Sequence, residues 1–320
     1  MTATDATPAT LVSARGVSKR YGDVPVLEEI DFDIHQGITG LLGANGSGKT
    51  TLLGMILGLH PRDGGTLAVY GRDPWTGGAE VRALTGYAPE HHTLPPDLRA
   101  DEFVRHVAEL HGLPTTEAVT RASDALWLVG LGEERFRPMG TMSTGQRQRV
   151  KLAQAIAHDP RLILLDEPTD GLDPVQRDAM LELIHHVAES FEINVLLSSH
   201  LLDEVEQICD SAVIIGDGRT LASGTLQELR GESDTGLSLV LDGSDDQVAA
   251  VVDQLQERGA IVTFTGHHLN VDGSNIQAGA NGAGSVFDHA RDVCAAAEVG
   301  IVRLSRRRLS LEDVFLERLG

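Results

Sequence analysis

Between Val12 and Gly37 the chain reads as strand. Ile30, Phe32 and Ile34 are interleaved with Asp31, Asp33 and His35, the period of two that buries one face. Asp23 and Pro25 mark a turn ahead of that run. Ile38–Leu42 is a short apolar run closed by glycine, which predicts a buried strand, and Thr50–Leu59 predicts a helix stopped at His60-Pro61. Gly65–Tyr70 and Leu84–Ala88 read as further short strands. From Asp101 to Leu131 the period lengthens. Phe103, Val107 and Leu110, then Val119, Ala122, Leu126 and Val129, recur at helical spacing, and Gly112-Leu113-Pro114 separates the two stretches. Ser143 is an N-cap candidate for a third helix ending near His158. Arg161–Asp166, Ile193–Ser198 and Ser211–Ile215 are apolar strands, with a helix from Pro174 to Ser190 between the first two. Strands alternating with helices imply a parallel sheet covered on both faces, with a small helical subdomain inserted before its later strands.

Polar residues gather at Gly231-Glu232-Ser233-Asp234, a candidate linker. Beyond it the pattern reads strand (Leu237–Leu241), helix (Asp246–Arg258), hairpin (Ile261–Thr265 with His268–Val271), helix (Val286–Glu298) and strand (Ile301–Leu304). That β-α-β-β-α-β order is the one a ferredoxin-like domain gives. The expected organisation is a mobile tail at residues 1–10, a main domain at 11–230 with its helical subdomain near 91–158, and a C-terminal accessory domain at 231–320.

Composition narrows the function. The formal net charge is −21, a field that repels phosphate backbones and disfavours a general nucleic-acid binder, while leaving room for one nucleotide in a locally positive cradle. The two cysteines, Cys209 and Cys294, are too distant to suggest a disulfide framework or a metal site. No uninterrupted apolar run approaches the roughly 20 residues a membrane helix needs. Met1 to Ala14 lacks the charged and apolar regions of a signal peptide. The expectation is a cytoplasmic chain whose membrane role, if it has one, runs through a partner.

Gly43-Ala44-Asn45-Gly46-Ser47-Gly48-Lys49-Thr50 fits G-x-x-x-x-G-K-[ST], with a predicted strand before it and a helix after it. The glycines let successive N–H groups curl around phosphate oxygens, and the following helix adds its positive N-terminus. Lys49 is placed to reach the β- and γ-phosphates, and the Thr50 hydroxyl to meet Mg²⁺. Gly279-Ala280-Asn281-Gly282-Ala283-Gly284-Ser285 repeats much of the pattern but has serine in place of the lysine, so it reads as a loop. Asp166-Glu167 closes an apolar strand. In a parallel sheet such a strand delivers its C-terminal end to the ligand crevice, where Asp166 can hold Mg²⁺ and Glu167 can polarise the attacking water.

Met142-Ser143-Thr144-Gly145-Gln146-Arg147-Gln148-Arg149, just ahead of Asp166-Glu167, resembles the signature motif of ABC transporter ATP-binding subunits. The family pattern covers roughly residues 10–230 in the right order. The resemblance implies an α/β P-loop NTPase fold of ABC ATPase type, with a mixed sheet core, an antiparallel β subdomain and a helical subdomain. It implies ATP and Mg²⁺ as ligands. Tyr21 matches the residue that stacks on adenine, and Gly43, Ala44, Asn45, Gly46, Ser47, Gly48, Lys49, Thr50 and Thr51 match the phosphate and metal contacts. Lys49, Glu167 and His200 take the catalytic roles, His200 as the switch histidine in Ser198-Ser199-His200. Ser143, Thr144, Gly145 and Gln146 would address the γ-phosphate held by a second subunit, and Asp173 lies in the loop expected to cross the interface. Glu90 sits where most members carry glutamine, bringing a negative charge and no amide donor, and Thr144 replaces a usual glycine.

The tail Ser310-Leu311-Glu312-Asp313-Val314-Phe315-Leu316 is similar to the end of ATPases from drug- and polysaccharide-exporting systems. Arg303, Arg306, Arg307 and Arg308 precede it, and read as a solvated edge strand or as a contact for lipid headgroups. The pairs His91-His92, His185-His186 and His267-His268 read as solvated or structural, because adjacent residues do not share a helix face. The resulting expectation is an ATP-hydrolysing subunit on the inner face of the cell membrane. It would work with a second ATP-binding subunit, a homodimer or heterodimer, and an integral-membrane permease that exports. The competing reading is a soluble ABC-type switch acting on a non-membrane partner.

Overall fold

The structure, a computed structural model, describes residues 10–90, 94–230, 232–273 and 286–308. In chain order the first unit holds β1 (Val12–Tyr21), β2 (Val24–Ile34), β3 (Ile38–Leu42), α1 (Lys49–Ile56), β4 (Gly64–Val69), α2 (Gly78–Leu84), β5 (Thr85–Ala88), α3 (Ala100–Leu110) and α4 (Thr115–Leu128). It continues through α5 (Thr144–Ile156), β6 (Leu162–Asp166), α6 (Pro174–Phe191), β7 (Asn194–Ser199), α7 (Leu202–Ile208), β8 (Ser211–Gly216) and β9 (Arg219–Thr225). The chain divides into two compact units at Leu226/Gln227, within the short α8 (Leu226–Leu229). The second unit holds β10 (Glu232–Asp242), α9 (Asp245–Glu257), β11 (Ile261–Thr265), β12 (His268–Asp272), α10 (Val286–Ala296) and β13 (Gly300–Arg308).

The core sheet of the first unit runs β5-β6-β7-β3-β8-β9. Its first five strands are parallel and β9 closes the edge antiparallel to β8. β3 and β6 are buried at every position, as strands covered on both faces must be. A second, antiparallel sheet runs β2-β1-β4. Ile30, Phe32 and Ile34 are buried while Asp31 is exposed, so the period of two holds. The period slips between Leu27 and Ile30. There Glu29 adopts a left-handed backbone and the register with β1 shifts, as a β-bulge does. The turn lies at Gly22-Asp23, and Pro25 falls inside β2, opposite Arg20. β2 is the edge of its sheet, where a missing N–H is tolerated.

In the helical subdomain the second predicted stripe is buried at Ala122, Leu126 and Val129 and fails at Val119, while in the first Phe103 and Val107 are half-buried and Leu110 is exposed. α3 buries Ala100, Val104 and Ala108, and leaves Leu110 at 74% exposure, while α4 buries Ala118, Ala122, Ala125 and Leu126 and exposes Val119. Small alanines let α3, α4 and α5 approach closely, with Val104 and Leu126 packed among them and Leu110, Val119 and Trp127 left outward. The sequence pattern carries no signal for α2, α7 or β9, each only seven residues long. α1 stops at Ile56, ahead of the predicted end at Leu59.

In the second unit an antiparallel sheet of order β11-β12-β10-β13 packs its Leu237, Leu239, Leu241, Leu269 and Val271 into a separate apolar cluster with α9 and α10. The element order is the β-α-β-β-α-β of the sequence pattern. Glu232-Ser233-Asp234, expected as a linker, begins β10, where Glu232 pairs with Arg308 of β13. β13 is an edge strand on which Arg303 and Arg306 are exposed. Residues 1–9 of the expected tail, His91-His92, the glycine-rich stretch 279–285 and the C-terminal 310–316 lie outside the described residues.

Candidate active site

The parallel registers set neighbouring strand ends side by side. Leu42 of β3 is level with Ser199 of β7 and Ile214 of β8, and Asp166 of β6 is level with Ser198. Everything that follows these ends therefore opens on one edge of the sheet, as in other open α/β folds. After β3 the chain turns through residues 43–48. A Cβ on Gly43 would lie 2.5 Å from both the Ile215 carbonyl oxygen and Ser47 Oγ, so no side chain fits there. Gly48 is left-handed (φ 103°) and caps α1 without a side-chain hydrogen bond. That leaves the first N–H groups of α1 for an anion. Ala44, Asn45, Gly46 and Thr50 are exposed, Thr51 is half-buried, and Ser47 and Lys49 are buried.

Lys49 Nζ donates to the carbonyl oxygens of Gly43 (2.7 Å) and Ala44 (3.4 Å). It also faces Glu167 Oε1 at 3.3 Å, an ion pair with both side chains buried. Glu167 Oε2 lies 2.9 Å from His200 Nδ1. Glu167 has a left-handed backbone (φ 47°), a conformation costing a non-glycine residue about 1–2 kcal/mol. Ser198 fixes the pair of carboxylates. Its Oγ accepts from the Glu167 N–H (3.0 Å) and donates to Asp166 Oδ1 (2.6 Å). Asp166 is 2% exposed and its Oδ2 has no hydrogen-bond partner, nor does the buried Ser47 Oγ. A carboxylate oxygen so placed is stabilised by a cation.

Tyr21 ends β1 with its ring 47% exposed, edge-on to His60 (centroids 6.0 Å apart) and with Lys19 Nζ 5.3 Å from its centroid. The signature residues are elsewhere in the unit. Ser143 caps α5 in a reciprocal box, accepting from Gln146 N (3.2 Å) and donating its own N–H to Gln146 Oε1 (3.0 Å). Thr144 Oγ1 accepts from Arg147, and its methyl lies 3.4 Å from the Cβ that Gly171 would carry. Asp173 caps α6 through Gln176 N (2.9 Å). Gln148 Nε2 donates to the Asp170 carbonyl (3.2 Å), tying α5 to the loop after Glu167. Lys151 Nζ donates to the Glu90 carbonyl (2.7 Å), and burial pulls this ammonium below its ordinary pKa. Glu90, Thr144, Gln148, Lys151 and Asp170 line one cavity of about 500 Å³. Among the described residues, Ser143 to Gln146 share no hydrogen bond or ion pair with the cradle.

The tertiary structure also brings in Glu204, Thr169 and Ser199, a buried group that motif reading passes over. The signal that would have found Glu204 is an acidic residue one helical turn beyond His200, ahead of the apolar Val205. Among the described residues no group of three His, Cys, Asp or Glu is arranged for a metal. His185 pairs with Glu189 and His267 with Asp245.

The ABC transporter family model matches residues 27–170, which span the cradle, the signature and Asp166-Glu167. The chain is 31% identical over 313 residues to the linearmycin resistance ATP-binding protein LnrL of Bacillus subtilis, covering 97% of this chain and 98% of that one. It belongs to the ABC transporter ATP-binding proteins. The Nod factor export ATP-binding protein I of Ralstonia nicotianae is 29% identical, with 97% of this chain and 94% of that one covered. A solved ATP binding subunit of an ABC transporter superposes with a TM-score of 0.61 at 32% identity, covering 69% of this chain and 92% of that one. The fold is thus the ABC ATPase fold, and this ABC protein is an ATP-binding ATPase of the transport family. No helix among the described residues is long and apolar enough to cross a membrane.

Proposed function

We propose that this ABC ATPase energises export through a separate membrane-spanning partner, and that two ATP-binding subunits sandwich the nucleotides. The observation that carries the reading is the convergence of Lys49, Glu167 and His200 at the cradle, within one chain of contacts of 3.3 and 2.9 Å. Lys49 is held by its own loop and by Glu167. A triphosphate would take over the lysine and release Glu167 to orient or deprotonate the attacking water. His200 holds the other carboxylate oxygen and would meet the γ-phosphate. The N–H groups of residues 44–51 bind the phosphates, and Tyr21 offers an open ring face to the adenine.

Mg²⁺ fits the residues present. Asp166 Oδ2 is a buried carboxylate oxygen with no partner, and the Thr50 hydroxyl lies at the start of α1. The ion would supply charge neutralisation between the phosphates, with Thr50 and Asp166 as its protein ligands.

A second subunit is needed because the capped N-terminus of α5 is a second anion site that does not touch the cradle of its own chain. On this reading Ser143, Thr144, Gly145 and Gln146 face the γ-phosphate of the other copy, and Asp173 lies at the crossing loop. The names of the two relatives, resistance and export, favour an exporter. A membrane partner is supported by a cavity of about 310 Å³ lined by Leu57, Leu59, Tyr87, Pro89, Val107 and His111. Val107 is its lining residue from α3. Affinity purification from detergent-solubilised membranes tests the whole reading. Co-purification of a multi-span protein is expected, and a chain found in the soluble fraction alone would overturn the export role.

A further inference from the structure

Glu204 is a buried charge that the proposed chemistry does not use. It lies in α7 at 2% exposure, and both of its oxygens are engaged. Oε1 accepts from Thr169 Oγ1 at 2.6 Å, and Oε2 accepts from Ser199 Oγ at 2.6 Å. Arg177 Nε of α6 lies 3.4 Å from Oε1 and supplies the balancing charge. Thr169 and Ser199 are themselves buried. Thr169 lies two residues after Glu167, in the loop that leads through Gly171 to Asp173. Ser199 immediately precedes His200. Two short, charge-assisted hydrogen bonds to one carboxylate therefore join the loop after Glu167 to the segment that carries the histidine. Arg177 adds α6, the helix that Asp173 caps.

We infer that Glu204 is a positioning residue that locks the 169–173 loop and His200 into one unit, so that a movement of the interface loop displaces the histidine from the γ-phosphate. This deepens the proposed site and rests on that reading. The geometry makes length the decisive property. A glutamine at this position reaches both hydroxyls. Its amide NH₂ can donate to Ser199 Oγ, whose own proton can turn to the Leu201 carbonyl oxygen, 3.4 Å away. An aspartate keeps the charge for Arg177 but is one methylene too short to reach both hydroxyls.

The experiment measures steady-state ATP hydrolysis and nucleotide affinity of the full chain carrying Glu204→Gln, Glu204→Asp or Glu204→Ala, beside Glu167→Gln. Misplacement of catalytic groups by about 1 Å costs about 10²-fold. The Asp and Ala variants are therefore expected to lose about 10–100-fold in kcat, with ATP affinity within about threefold of the parent, and Gln to stay within about threefold in both. Should the Ala variant fail to fold, Thr169→Val and Ser199→Ala carry the same test: each lowers kcat, and the double variant is no worse than the poorer single. Asp outperforming Gln would show that only the Arg177 ion pair matters and overturn the inference. Unchanged kcat in Glu204→Ala, or in both hydroxyl variants, would overturn it as well. Full activity of Glu167→Gln would instead bring down the underlying site reading, a distinguishable result.

Discussion

At the scale of single residues, the site is organised around unpaired or strained groups. Lys49 is buried with carbonyl oxygens and one carboxylate for partners, and its removal leaves the phosphates without their cation. Lys49→Ala is expected to abolish ATP binding, measured by equilibrium titration with a fluorescent nucleotide. Micromolar binding by that variant would contradict the role. Glu167→Gln removes the base but keeps the side chain's length and its contact with His200. Loss of a general base typically costs about 10²–10⁴-fold, so turnover should fall by that factor while ATP remains bound. Single-turnover assays with labelled ATP separate the two effects.

At the scale of elements, two helix ends carry measurable consequences. Ser143 caps α5 reciprocally with Gln146, and loss of such a cap costs about 0.5–2 kcal/mol. Ser143→Ala should lower the melting temperature modestly in the nucleotide-free chain, and should lower kcat further if the same hydroxyl meets a partner's γ-phosphate. Equal melting temperatures would remove the cap from the account. At the other end of α5, His158 is stacked on His111 with ring centroids 3.7 Å apart and donates Nε2–H to the Thr85 carbonyl. Burial first, then the neighbouring His111, pulls its pKa down to about 4. The unfolded chain, with histidine near 6.5, binds more protons than the folded one between those values, so stability is complete above about pH 6.5 and falls as pH drops toward 4. The loss is on the order of 2–3 kcal/mol. Urea denaturation at pH 7 and pH 5 should show it, and His158→Phe should flatten the difference.

At the scale of the whole molecule, each unit has an apolar cluster of its own, one built on β1, β2, β3, α1 and β4, the other on β10, α9, β12 and α10. Thermal unfolding is therefore expected in two steps. Mg-ATP, bound by the first unit alone, should raise one step and leave the other in place. Saturation at 100 times Kd corresponds to about 2.7 kcal/mol. A single transition that moves as a whole with nucleotide would show that the two cores unfold together. The charge of −21 repels phosphate backbones at this scale, while Lys49 gives the cradle a local positive charge.

Local sequence was sufficient for whatever depends on local backbone chemistry. The glycines of residues 43–48 and the lysine after them specify the turn and the open helix N-terminus proposed to cradle phosphate, because the required conformations and donors lie within one turn. Ser143 specified its own cap, and the alternation from Ile30 to Ile34 its own buried face. What the tertiary structure decided is everything that depends on strands far apart in sequence becoming neighbours. Glu167 meets Lys49 and His200, and Ser198 fixes Asp166, only because β6, β7 and β3 are adjacent in a sheet whose order is not their order in the chain. The helical stripes went astray for a related reason. Packing favours close approach, so α3 and α4 bury alanines beside Val104 and Leu126 and leave Leu110 and Val119 outward, a choice set by the neighbouring helix rather than by the period of either segment. The partners of Glu204 were hidden for the same cause, since Thr169 and Ser199 lie thirty-five and five residues away in the chain.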